Sequence, residues 1–195
     1  MQRRVDELPI RQRFLIFCEG EKTEPNYFGK FRVPQLVVQV EGLGMVTISL
    51  VKKALELRDQ YEEKYDQTWC VFDKDDFLDQ DFNEAINLAK RNGMKVAYSN
   101  QSFELWYVLH FSFMHNALTR DGYKKILDEK LGYKYKKNSI TTFDELLHLQ
   151  KDAIRNARNL LSECHPSKPA KNDPSTTVHL LVEQLIKFSQ PFGTR

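Results

Sequence analysis

The sequence predicts an α/β fold: a mostly parallel four-stranded sheet flanked by helices, followed by a helical extension. Three observations carry this. Four short runs, FLIFC (14–18), LVVQV (36–40), TWCVF (68–72) and KVAY (95–98), have strand length and a β-rich composition. A helical pattern follows each run, and strands joined through helices pack as a parallel sheet with helices on both faces. The first run is apolar throughout rather than alternating, which marks a strand covered on both sides.

The elements follow in order. Glu19 and Gly20 end the first strand. Glu24-Pro25 opens a helix, since proline is favourable in a first turn, and Pro34 stops it. Tyr27, Phe28 and Phe31 share one side of that helix. After the second strand, Gly42 and Gly44 mark a flexible turn. Thr47 or Ser49 is suited to cap a long helix reaching about Lys64, with Ile48, Val51, Leu55 and Tyr61 near helical spacing. The third strand ends in the acidic run Asp73-Lys74-Asp75-Asp76. A helix over 81–91 is closed by Asn92-Gly93. The fourth strand leads through Ser99–Ser102 into an apolar helix over 103–111.

Beyond residue 111 the texture changes. Helices are expected over 119–131, 142–162 and 175–188, separated by the basic stretch GYKYKKNSIT and by a loop holding Pro166, Pro169 and Pro174. The chain therefore divides into an α/β core, 1–111, and a helical extension, 112–195, packed on it.

Composition bounds the function only loosely. At 195 residues, 41% hydrophobic and 29% charged, the chain can bury a core without disulfides or a structural metal. A net charge of +2 is too mild to argue for nucleic acid by itself. Three cysteines without a CxxC pair suit a reduced compartment and disfavour zinc; Cys18 and Cys70 end apolar runs and read as buried hydrophobes. The N-terminal MQRRVDELPIRQR lacks the apolar stretch of a secretion signal, and no run approaches the ~20 apolar residues of a membrane span. A cytoplasmic protein with no membrane association is the expectation.

The chemistry concentrates at one sheet edge. In open parallel sheets, ligands bind outside the carboxyl ends of the strands. Glu19 follows strand one, Asp73 and Asp75 follow strand three, and Ser102 and Glu104 follow strand four. Clustered carboxylates repel unless a cation lies between them, and hard oxygen donors select Mg²⁺ or Mn²⁺. A D-x-D pair suits this, because alternate residues at a strand end can point to the same side. Plainer readings exist for each. Asp73 and Asp75 also suit a turn, Asp76 a solvated helix approach, Ser102 an N-cap, and Glu104 a helix dipole partner. Lys22 lies where a phosphate could meet a helix N-terminus. Lys134, Lys136 and Lys137, interleaved with Tyr133 and Tyr135, could follow a nucleic-acid backbone, as could Lys171. Each lysine is equally a solvated surface residue. His110, within an apolar helix, reads as a core histidine.

The pairing of Glu19-Gly20 after strand one with Asp73 and Asp75 after strand three resembles the Toprim fold of topoisomerases, primases and OLD-type nucleases. The fuller set, FCEGEKTEPNYF (17–28), VFDKDD (71–76), SNQSFELWYVLHF (99–111) and NDPSTTVHLLVEQL (172–185), resembles the RloB-like family of bacterial defence proteins. The resemblance implies a Toprim-like core with helical additions. It also implies a metal-dependent nuclease acting beside an ATPase partner of ABC or AAA type in phage defence or restriction-linked loci. Carried over residue by residue, Glu19 would be the general acid or base, or a metal ligand, and Asp73 and Asp75 would hold Mg²⁺ or Mn²⁺. The further acids and the lysine that OLD-type nucleases use for two metals have no evident counterparts here. Two function classes follow: a phosphodiesterase on DNA or RNA, and a non-catalytic nucleic-acid or nucleotide-binding subunit regulating the ATPase.

Overall fold

A computed structural model describes residues 12–31 and 36–189. Pro34 and the charged N-terminal segment lie outside the described residues. Four strands, β1 (Gln12–Cys18), β2 (Leu36–Gly42), β3 (Gln67–Asp73) and β4 (Lys95–Ser99), form one all-parallel sheet in the order β2-β1-β3-β4. The first three crossovers are α1 (Thr23–Phe28), α2 (Thr47–Gln60) and α3 (Asp79–Arg91). After β4 come α4 (Glu104–Val108), α5 (Arg120–Leu131), α6 (Thr142–Leu146), α7 (Gln150–Ser162) and α8 (Val178–Ser189). The α/β arrangement is the one the sequence predicts, and it is consistent with a Toprim-like core.

The strand period of two sorts the core into two layers. On one face, Phe14, Ile16, Cys18, Trp69 and Val71 pack with α1, α4 and the C-terminal helices. On the other, Leu15, Phe17, Cys70, Phe72 and Tyr98 pack with α2 and α3. Both strand cysteines are fully buried, as hydrophobes of their size should be. Tyr27 centres the first layer, with ring centroids of Phe28, Phe31, Phe103, Trp106, Tyr107 and Phe143 between 5.1 and 6.5 Å away.

Several elements differ from expectation. Gly42 is the last residue of β2 and not a turn residue; a Cβ there would lie 2.7 Å from the Glu21 Cα and 2.8 Å from the Gly20 carbonyl oxygen. Only glycine lets the loop after β1 cross so close. Neither Thr47 nor Ser49 caps α2: Val46 holds the N-cap position without a side-chain bond, and Thr47 takes a positive φ of 26°. That helix ends at Gln60, not near Lys64, because Tyr61 turns away and donates to Glu41 Oε1 at 2.8 Å. The expected helix over 142–162 breaks into α6, a 3-10 turn over Leu147–Leu149, and α7. The chain changes packing partner there: Phe143 lies on Tyr27 and Phe31, whereas Asn156 of α7 donates to the Leu109 carbonyl at 2.8 Å.

The last expected helix starts later, at Val178, because residues 175–177 are drawn against the open edge of β4. Thr177 N–H donates to the Tyr98 carbonyl at 2.8 Å, Tyr98 N–H donates to Thr177 Oγ1 at 2.9 Å, and Asn100 N–H donates to the Ser175 carbonyl at 2.7 Å. The helical extension thus continues the sheet as well as covering it. Among the described residues, no helix is long and apolar enough to cross a membrane.

Candidate active site

The strand order reverses between β1 and β3: the chain leaves β1 toward β2 on one side, and β3 toward β4 on the other. Such a switch point opens a crevice at the carboxyl ends of the two strands. Glu19 and Asp73 lie there. Glu19 N–H donates to the Val71 carbonyl at 2.9 Å, which continues the β1–β3 ladder by one bond. The Glu19 Oε2 atom accepts from Asp73 N–H at 3.0 Å. Asp73 Oδ2 in turn accepts from Phe103 N–H at 3.0 Å, at the entry to α4.

Asp75 reaches the site differently from expectation. Strand alternation stops at Asp73; Lys74 is buried, bound to the Phe77 carbonyl and to Asp79, and Asp75 takes a left-handed φ of 46°. The Asp75 carboxylate is ion-paired with Arg120, the first residue of α5. Asp76 is exposed. Ser102 is buried but does not cap α4: Phe103 holds the N-cap position, and among the described residues Ser102 Oγ has no hydrogen-bond partner. Glu104 is 3% exposed, and its Oε1 also lacks a partner among the described residues.

Four participants are not foreseen in the sequence. Glu24 lies in the first turn of α1 and is 6% exposed, and among the described residues its Oε2 has no partner. Its carboxylate lies over Gly20, where a Cβ would meet Glu24 Oε2 at 2.1 Å. The signal available was the Glu-x4-Glu spacing across a strand-to-helix turn. Arg120 has a subtler signal, since a cation in a helix first turn opposes the dipole. Tyr135 is buried near Glu104 and Glu24, and burial together with those two charges raises its phenol pKa. Asn138 pins the 132–141 loop to α1: its Oδ1 accepts from Thr23 Oγ1 at 2.6 Å, and its carbonyl accepts from Asn26 Nδ2 at 3.0 Å.

The lysines divide. Exposed Lys22 and Lys137 line a hollow of about 360 Å³ with Gly20, Glu21, Thr23 and Asn138, beside the carboxylates. Lys137 is close enough to lower the Glu24 pKa. Lys136 lines a second hollow of about 290 Å³ on the same loop, with Tyr133, Tyr135 and Glu145. Lys134 is exposed on that loop. Lys171 ends the turn Pro169–Lys171, which packs on α3. His110 is a core histidine, its Nδ1 2.9 Å from the Trp106 carbonyl oxygen and its pKa lowered to about 4 by burial.

Charge at the edge is frustrated. Burial raises the Glu19 pKa to about 7, with Glu24 and Asp75 adding to the rise. Asp73 is raised well above the usual carboxylate range by burial and by the charges of Glu24, Glu19 and Glu104. Burial raises Glu24 as well. Such a donor set suits a hard divalent cation: carboxylates only, mutually repelling, with one oxygen each of Glu24 and Glu104 buried and without a partner among the described residues. Among the described residues, no three His, Cys, Asp or Glu side chains are gathered as an ion cage. One oxygen each of Glu19, Asp73 and Asp75 is engaged instead by Asp73 N–H, Phe103 N–H and Arg120.

A pH dependence follows. Glu19 binds its proton more tightly folded, at about 7, than unfolded, near 4.5. Its ionisation therefore removes stability as pH rises through that window, with no further loss above it. Glu19→Gln is expected to match the wild type near pH 4.5 in chelator and to exceed it above pH 7, by about 1–3 kcal/mol. Urea denaturation at several pH values measures this. His110 and His179, both lowered to about 4, act in the opposite sense, so the wild-type-minus-variant difference is the quantity to follow. A difference that is flat with pH would contradict the burial of Glu19.

The model of one protein family, described as RloB-like protein, matches residues 14–185. Neither the curated proteins nor the solved structures gave a match.

Proposed function

The chain belongs to the RloB-like family, and from that premise we propose that it is a metal-dependent phosphodiesterase, a nuclease acting on DNA or RNA. On this reading it serves a phage-defence or restriction-linked system in the cytoplasm, together with an ATPase partner. The observation that carries the reading is the carboxylate cluster at the β1–β3 switch point, where one oxygen each of Glu24 and Glu104 is buried without a partner among the described residues. Burying ionisable groups without partners costs stability, and carboxylates perturbed in this way cluster at functional sites.

Asp73 and Asp75 would hold Mg²⁺ or Mn²⁺, with Glu19, Glu24 and Glu104 around the site. A bound ion of this kind neutralises a phosphate oxygen and lowers the pKa of a water. Glu19, held by Asp73 N–H, would accept or return a proton at a water beside the phosphodiester. Lys22 and Lys137 would bind flanking phosphates across their shared hollow. The test is a cleavage assay with Mg²⁺ or Mn²⁺ on single- and double-stranded DNA and RNA, with and without the neighbouring ATPase. Activity is expected in the wild type and in neither Glu19→Gln nor Asp73→Asn; cleavage that survives both substitutions would sink the assignment.

One observation favours a second reading. The Asp75–Arg120 ion pair already supplies the cluster with a cation. In a non-catalytic subunit that binds nucleic acid or nucleotide and regulates the ATPase, this pair would be permanent. Both substitutions would then leave the regulated ATPase rate unchanged.

A further inference from the structure

We propose that Arg120 is a two-position residue: it pairs with Asp75 while no divalent cation is bound, and passes to a phosphodiester oxygen once the cation takes Asp75. The inference rests on the metal-site reading above. Arg120 opens α5, with Thr119 Oγ1 at the N-cap accepting from Gly122 N–H at 3.3 Å. A cation in that first turn faces the positive end of the helix dipole. No gain within α5 explains it there; the gain lies across the crevice, in the carboxylates.

Five acidic side chains act on this guanidinium or feel it. Asp75, Asp73 and Glu104 favour its charged form against the cost of burial, and its charge in turn favours ionised Glu19 and Glu24. Yet among the described residues it forms an ion pair with Asp75 alone, and its buried Nε–H has no partner there. Arg–carboxylate pairs are frequently bidentate, with two donors of the fork on one carboxylate. Here a donor is left over, and the side chain remains 39% exposed, within reach of a ligand arriving from solvent.

A divalent cation and the guanidinium compete for the same negative charge on Asp75. Arrival of the ion weakens the ion pair and repels the guanidinium. It also brings no acceptor for the freed donors; a phosphodiester does, and the planar fork matches its two non-bridging oxygens. The competition makes ion and substrate binding interdependent, because the group that opposes the ion is the one that holds the substrate.

The test uses the whole chain and two probes. Mn²⁺ uptake is measured by calorimetry without nucleic acid. Binding of fluorescein-labelled single-stranded DNA and RNA oligonucleotides is measured with Ca²⁺ in place of Mg²⁺. Arg120→Gln is expected to bind Mn²⁺ roughly tenfold more tightly, since one opposing charge is gone, and the oligonucleotide roughly tenfold more weakly. Arg120→Lys, which keeps the charge and loses the fork, should hold Mn²⁺ near the wild-type affinity while still losing oligonucleotide affinity. It also serves should the Gln variant fail to fold. Mn²⁺ affinity unchanged or weakened in Arg120→Gln overturns the proposal, as does unchanged oligonucleotide binding in both variants. If the wild type takes up no Mn²⁺, the metal-site reading fails and this inference with it. If wild type and variant take it up equally, only the inference fails.

Discussion

Asp73→Asn is expected to reduce Mg²⁺-dependent phosphodiester cleavage by about 1,000-fold or more, while making the metal-free protein more stable at alkaline pH. The two effects share one cause. Asp73 has Glu24, Glu19 and Glu104 as charged neighbours, and its own negative charge is unfavourable where it stands. Asparagine keeps an acceptor for Phe103 N–H, so the entry to α4 stays in place. What is lost is the charge, which repels its neighbours in the absence of an ion and attracts the ion when one is present. Melting curves with chelator and with Mg²⁺ separate these effects. The wild type should gain stability from Mg²⁺ through preferential binding to the folded state, and the variant should gain little. A site that sacrifices stability for function predicts this opposition. A variant that is destabilised in chelator would mean that the Asp73 charge is balanced within the protein.

Tyr27→Ala should cost about 3–5 kcal/mol, a large share of the stability of an ordinary domain. Six aromatic neighbours enclose the ring, and they come from four parts of the chain: α1, the turn after it, α4 with its N-cap residue, and α6. Removing the ring leaves a void bordered by large, rigid side chains that cannot collapse into it. Tyr27→Phe should cost about 1 kcal/mol, because it loses only the hydroxyl, which accepts from Gln150 Nε2 at 2.9 Å. Urea denaturation of the three proteins gives both numbers. The damage reaches the site, since α1 carries both Tyr27 and Glu24. Equal losses in the two variants would place the stabilisation in the hydroxyl and not in the ring.

The sheet was legible in the sequence because its signal is local. A buried parallel strand needs only a short apolar run bounded by a polar turn, and 14–18 and 68–72 supply that without reference to the rest of the chain. The placement of Glu19 and Asp73 followed from the same runs and from the rule for strand ends. Features set by contacts between distant segments were not legible. Tyr61 leaves α2 for Glu41, twenty positions earlier. The break at 147–149 has no glycine or proline to announce it. Asp75 was placed on the right edge by the wrong device: strand alternation was expected to aim it, whereas a left-handed turn and Arg120 hold it. Glu24 is not legible as a site residue because its burial over Gly20 depends on the path of the loop after β1.

The hydrogen bonds from residues 175–177 to β4 have a consequence for how the chain avoids sticking to itself. Tyr98 has its outward N–H and carbonyl occupied by Thr177, and Asn100 N–H is occupied by the Ser175 carbonyl. An uncovered parallel edge of this kind is a template for a strand from another molecule. Closing it from within the same chain ties colloidal behaviour to the docking of the extension: a shortened chain ending before this segment would expose a ready-made seam for aggregation.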